Sequence, residues 1–151
     1  MKLKNLYKTN SSKETEKIAG ILVKEILKTR IKNKNALVFA LDGDLGAGKT
    51  TFVRGFLRGF GIKKKITSPT FIIFKRFKIQ NSKFKNVYHM DCYRIKKTKE
   101  LFSLEIKEIF KNFENIVLIE WPEKIKKTLP KNAIRIKFKH GEKENQRSIL
   151  I

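Results

Sequence analysis

Gly43-Asp44-Leu45-Gly46-Ala47-Gly48-Lys49-Thr50, followed by Thr51, decides how this chain is read. The stretch satisfies G-x-x-x-x-G-K-[ST], the pattern of a loop that wraps phosphate. Before it, Ala36-Leu37-Val38-Phe39-Ala40-Leu41 is an unbroken apolar run, as expected of a buried parallel strand. After it, Phe52, Val53, Phe56, Leu57 and Phe60 recur at helical spacing, and Gly61 is placed to end that helix. The motif thus falls on the turn between a buried strand and a helix N-terminus. Glycines let successive N–H groups curl toward a polyphosphate there, and the helix dipole favours its charge. In such a loop Lys49 reaches the β- and γ-phosphates and the Thr50 hydroxyl ligates Mg²⁺. A glycine-rich surface turn is the plainer alternative.

Working outward, Asn115-Ile116-Val117-Leu118-Ile119-Glu120 is an aliphatic strand ending in an acid, the Walker B arrangement. Parallel sheets bind ligands at the C-terminal edge of their strands, so Glu120 is expected to face the Mg²⁺ and the attacking water. Trp121 packs on the nucleotide or fills the rim of the core, and Pro122 stops the strand. Val87-Tyr88-His89-Met90 ends in Asp91-Cys92-Tyr93-Arg94. Asp91 either serves the metal and water or caps the following turn, with Arg94 paired to it. Ile66-Thr67-Ser68-Pro69-Thr70 is either a turn into the next strand or a switch-like loop whose hydroxyls sense the γ-phosphate.

The remaining elements follow from periodicity. Ser11-Ser12-Lys13-Glu14 matches a capping box, and Ile18, Ile21, Leu22 and Ile26 predict a helix from about Ser12 to Lys28. Residues 1–10 read as a short strand or extended lead-in. Phe71-Ile72-Ile73-Phe74 and the strand at Val87 form a hairpin, and Leu101 to Phe110 a helix. Ala133–Phe138 and Ser148–Ile151 form a terminal hairpin closing one side of the sheet. The fold class is α/β: a P-loop NTPase with a mixed, mostly parallel sheet flanked by helices, plus antiparallel hairpin additions. Residues 1–151 are expected to make one domain.

A single cysteine, Cys92, excludes an internal disulfide and a Cys-rich zinc cluster, and suits a reducing compartment. No stretch approaches the length that crosses a bilayer, and the N-terminus lacks a secretory core, so a cytoplasmic protein without membrane association is expected. The formal charge of +22 points toward nucleic acid. Only seven of the 36 basic residues are Arg, however, and Lys, Ile, Phe and Asn share A/T-rich codons. Genome bias therefore competes with an RNA-facing surface as the source of the charge.

Gly43–Gly55, Ser68-Pro69-Thr70-Phe71, His89-x-Asp91-x-Tyr93-Arg94 and Ile119-Glu120-Trp121-Pro122-Glu123, in this order, resemble the TsaE (YjeE) family. That family comprises small bacterial ATPases of tRNA threonylcarbamoyladenosine biosynthesis. The resemblance implies ATP on Asp44, Leu45, Gly46, Ala47, Gly48, Lys49, Thr50 and Thr51, with Mg²⁺ held by Thr50 and Glu120. It also implies that Asp91 is needed for hydrolysis, that Trp121 lies near the nucleotide and that the Ser68-Pro69-Thr70 loop is the switch. Ser11 is the candidate for an adenine contact. The implied partners are TsaB and TsaD, with tRNA reached indirectly through their complex. Cys92 departs from the bulky aliphatic residue usual between the Asp and the Tyr.

Read as an ATPase, the chain uses Lys49, Asp91 and Glu120 as its catalytic residues. Slow turnover alone is expected, because only Arg94 offers itself as an internal arginine finger. A small-molecule kinase is the rival enzyme, although no Arg cluster suits a lid. A guanine nucleotide switch would need an Asn-Lys-x-Asp motif, which is absent. A non-catalytic RNA-binding module would be indifferent to loss of Lys49.

Overall fold

In the computed structural model, residues 5–66, 74–80, 82–95 and 100–151 are described, the side chains of 100–104 excepted. The expected hydroxyl-bearing loop at Thr67, Ser68 and Thr70 lies outside them, as do residues 71–73 of the first hairpin strand.

Among the described residues seven strands form one sheet: β1 (Leu6–Thr9), β2 (Leu37–Asp42), β3 (Phe74–Lys78), β4 (Asn86–Asp91), β5 (Asn115–Glu120), β6 (Ile134–His140) and β7 (Arg147–Leu150). Their spatial order is β1-β7-β6-β2-β5-β4-β3. The central strands β6, β2, β5 and β4 are parallel to one another. Antiparallel β3 closes one edge, and β7 with β1 the other. The mixed sheet with hairpin additions is therefore as expected. The terminal hairpin does more than close a side, since β6 lies directly against β2, the strand that feeds the glycine loop, Asp42 beside Lys137.

Among the described residues two α-helices cover one face and one covers the other. α1 (Ser12–Lys28) and α2 (Lys49–Gly59) pack on a core that includes Phe39, Leu41, Phe52, Phe56 and Leu118. α3 (Glu100–Lys111) covers Val38, Met90, Val117 and Ile119 from the opposite side. Strand β5 is buried along its whole length, as a central parallel strand must be, whereas edge strand β3 reads Phe-Lys-Arg-Phe-Lys and exposes most of its length. The predicted hairpin is present, but its first strand is described only from Phe74 onward, beyond most of the apolar run at 71–74.

Local chemistry sets the helix ends. Ser11 Oγ accepts the Glu14 N–H at 3.2 Å, and Glu14 accepts in return from the Asn10 N–H, one residue earlier than a capping box prescribes. α2 ends in a Schellman motif, with Gly61 at φ 80°, Ile62 N–H bonded to Leu57 O and Gly61 N–H to Arg58 O.

The buried face of α1 corrects the expectation from spacing. It runs through Thr15, Ala19, Leu22, Val23 and Ile26, while Ile21 is 42 % exposed. The cause is the neighbouring helix. A Cβ on Gly55 of α2 would fall on the Glu16 Cα and carbonyl oxygen, and one on Gly59 would meet Val23 at 2.9 Å. Two glycines one turn apart let α2 lie against the small side of α1, and that contact rotates Ile21 outward. Glu16 then pairs with Arg54 at 3.5 Å and with Arg58, both on α2.

Candidate nucleotide site

The site is the C-terminal edge of β2, β5 and β4, where open parallel sheets place their ligands. Residues 43–48 leave β2 and turn directly into α2, whose first residue is Lys49. Gly48 caps that helix at φ 99°, and Gly46 sits at φ 74°, a left-handed region that favours glycine. Gly43 passes so close to β6 that a Cβ would meet Phe138 O at 2.7 Å. Within the loop, Ala47 N–H bonds Asp44 O at 3.1 Å, Ala47 is buried, and Leu45 is 71 % exposed. Thr51 Oγ1 accepts from Arg54 at 3.1 Å.

Lys49 is buried and folded back over its own loop. Its ammonium donates to the carbonyl oxygens of Gly43 and of Asp44 (2.8 Å), and lies 4.0 Å from the centroid of the Trp121 ring. Burial pulls its pKa below the ordinary lysine value, opposed by the charges of Glu120, Glu123, Asp44 and Asp91. Trp121 therefore does face the loop. It is also the non-glycine residue with positive φ among the described residues (58°), and its ring packs on Tyr93 at 4.9 Å. A bulky residue in that region marks backbone held by its surroundings.

Glu120 and Asp91 are side by side, paired in register at the ends of β5 and β4. Thr50 Oγ1 donates to Glu120 at 2.9 and 3.0 Å from its two oxygens, so the first turn of α2 and the end of β5 meet. Asp91 Oδ1 accepts the Tyr93 N–H at 3.0 Å and thus does cap the following turn. Arg94 is exposed. Ser11 spends its hydroxyl on the helix cap, but the next turn of α1 reaches the loop: Thr15 Cγ2 would lie 3.9 Å from a Cβ on Gly48.

Three basic side chains in this site were not assigned a part by their sequence pattern. His89, two residues before Asp91 on β4, is fully buried, with Nε2 2.8 Å from Glu120 Oε1. Strand alternation was the available signal, since residues two apart share a face. His140 Nε2 donates to Leu45 O at 3.1 Å, and Arg147 Nε donates to Gly46 O at 3.2 Å. No local signal marks these two, because the β6–β7 hairpin lies some hundred residues downstream of the loop it braces. Cys92, beside the site in sequence, is fully buried, and burial, then Asp91, Glu123 and Glu120, push its thiol up to about 12.

The donor set suits Mg²⁺ with phosphate. Mg²⁺ takes hard oxygens and completes its shell with phosphates and waters, needing only one or two carboxylates from protein. A hydroxyl at Thr50 with carboxylates at Glu120 and Asp91 meets that need. Among the described residues no group of three or more His, Cys, Asp or Glu forms a metal cage by itself. Glycine at 43, 46 and 48 lets the curl take positive φ and pass close to Phe138, His140 and Arg147 of the β6–β7 hairpin.

A glycine loop between a buried parallel strand and a helix, with an acid at the end of the adjoining strand, defines a P-loop NTPase fold. Residues 9–149 match the family model described as Threonylcarbamoyl adenosine biosynthesis protein TsaE, and the chain belongs to that family. It is 36 % identical over 141 residues to the TsaE protein of Bacillus subtilis, covering 93 % of this chain and 81 % of that one. To the Haemophilus influenzae TsaE protein it is 38 % identical over 121 residues, covering 80 % of this chain and 70 % of the other. The crystal structure of Bacillus subtilis YdiB superposes with a TM-score of 0.72 at 31 % identity, covering 99 % of this chain and 85 % of that chain. The family's role lies in tRNA threonylcarbamoyladenosine biosynthesis. Among the described residues no helix is long and apolar enough to cross a membrane.

Proposed function

We propose that this chain binds ATP with Mg²⁺ and hydrolyses it, as the accessory ATPase that supports threonylcarbamoyladenosine formation on tRNA together with TsaB and TsaD. The observation that carries the reading is the Thr50–Glu120 contact, 2.9 Å across 70 residues of sequence, at the mouth of a glycine loop. The loop amides of residues 44–51 and the α2 dipole hold the phosphates. Lys49 exchanges its two carbonyl partners and the indole face for β- and γ-phosphate oxygens. Thr50 and Glu120 hold the metal, which when bound neutralises charge building on the transferred phosphoryl group.

Asp91 and Glu120, adjacent in register, orient the attacking water; catalysis by positioning and electrostatics needs no covalent step from the protein. Trp121, whose ring lies 4.0 Å from the Lys49 ammonium, flanks the nucleotide. Ser11 and Thr15, at the start of α1, border the base. Slow turnover of the isolated chain, with tRNA engaged through the partners, completes the reading. A component ordered by TsaB and TsaD would then supply what Arg94 alone does not. Such contributions are worth about 10³–10⁵ in rate where arginine fingers operate.

The test is reconstitution. Wild-type chain with TsaB, TsaD and labelled ATP is expected to release free phosphate and to support repeated rounds of tRNA modification, whereas Lys49→Ala does neither. A phosphorylated small-molecule acceptor in place of free phosphate would indicate a kinase. Isolated chain turning over as fast as the assembly would refute partner activation.

A further inference from the structure

His89 is a polar side chain in an apolar position. It lies on β4 between Tyr88 and Met90, wholly buried, in register with Leu118 of β5. A residue there for packing alone would be aliphatic, like Val87 two positions earlier on the same face. Its Nε2 meets Glu120 Oε1 at 2.8 Å, and its Nδ1 has no hydrogen-bond partner among the described residues. Among the described residues Glu120 is the only polar group its ring addresses, and the carboxylate accepts, so Nε2 carries the proton. The other partner of Glu120 is Thr50, which bonds both oxygens, leaving Oε2 with Thr50 alone among the described residues.

We propose that His89 is a positioning residue for the divalent cation: it pins Oε1 of Glu120 so that the carboxylate keeps the orientation in which it and Thr50 receive Mg²⁺. The inference rests on the reading of Thr50 and Glu120 as the metal's protein ligands. The physical reason is that a carboxylate at a strand end rotates about its terminal torsion unless a second donor fixes it. Thr50 offers a single hydroxyl proton, nearly equidistant from both Glu120 oxygens, so it does not by itself settle which of them turns to the metal. Outer groups that orient metal ligands commonly alter metal affinity by about 10–100-fold when removed.

The experiment compares wild type, His89→Gln and His89→Asn, each checked for folding by circular dichroism, with ADP and Mg²⁺ as probes. The Gln side-chain nitrogen reaches the place of Nε2, whereas the Asn nitrogen stops at the place of Nδ1. ADP affinity in EDTA, measured by calorimetry, is expected to agree within about twofold across the three, because the phosphate loop is untouched. The Mg²⁺ concentration for half-maximal enhancement of ADP binding is expected to stay near the wild-type value in His89→Gln. In His89→Asn it is expected to rise at least about tenfold.

Equal Mg²⁺ requirements in both variants, whether unchanged or shifted alike, would overturn the positioning role. A control separates this from failure of the underlying reading. Should wild type show no Mg²⁺ enhancement, or Glu120→Gln leave it unaltered, the metal assignment itself is wrong. Nitrogen-15 spectra of the wild-type ADP complex decide the matter without any variant. Adding Mg²⁺ is expected to shift the His89 Nε2 resonance, and a resonance that does not move overturns the proposal.

Discussion

Gly55→Ala and Gly20→Ala place the same methyl group in two helices and should move stability in opposite directions. An alanine in a helix interior is favoured over glycine by about 1 kcal/mol, so both substitutions begin with the same gain. At Gly20 in α1 nothing lies within 4 Å of the new Cβ, and that gain should survive as about 1 kcal/mol of added stability. At Gly55 the Cβ would fall on the Glu16 Cα and carbonyl oxygen and 2.8 Å from its carbonyl carbon. These are backbone atoms, which cannot swing aside, so the two helices must separate. Overpacking of this kind costs typically 1–3 kcal/mol, and with rigid neighbours the upper end applies, leaving a net loss of about 2 kcal/mol. The two variants should thus differ by about 3 kcal/mol in urea unfolding followed at 222 nm, with unchanged slopes. The loss should reach function as well, because α2 carries Lys49 and Thr50. Moving its axis lengthens the 2.9 Å Thr50–Glu120 bond, so Gly55→Ala should also bind MgADP more weakly. A Gly55→Ala protein as stable as wild type, alongside a stabilised Gly20→Ala, would refute the claim that this close contact sets the position of α2.

Four further outcomes are expected. The chain's one tryptophan, Trp121, reports on Lys49, so MgATP should change its emission as the ammonium leaves the ring. In Lys49→Ala the emission should start from an altered value and stay there on titration. Because the Cys92 pKa is raised from 9.0 to about 12, its thiolate at pH 8 is about a thousand times scarcer than in the unfolded chain. Disulfide reagents should therefore label it only on unfolding. The sign follows for stability: the contribution is whole below pH 9 and is lost as pH rises from there toward 12, which thermal melts across that range would detect. Finally, His140→Ala and Arg147→Ala should weaken ADP binding about tenfold or less without large loss of folding stability. They remove the donors that hold the Leu45 and Gly46 carbonyls, and calorimetry would measure the change. Unaltered affinity in the double variant would show that the loop holds its shape alone.

What the chain's own pattern determined was everything that depends on near neighbours. The loop at 43–50, the strand feeding it, the limits of α1 at Ser12 and Lys28 and the acid ending β5 all follow from turn chemistry, capping and apolar spacing, which act within a few residues. Tertiary structure alone decided which distant groups share a space. It set Ile21 outside the buried face of α1, since that face was chosen by the glycines of α2. It placed β6 against β2, and with it His140 and Arg147 on the glycine loop. It turned His89 from one polar letter in a strand into the partner of Glu120, and laid Lys49 on Trp121. Local propensity is a short-range property of the backbone, whereas the pairing of strands and helices is settled by complementarity between surfaces far apart in sequence.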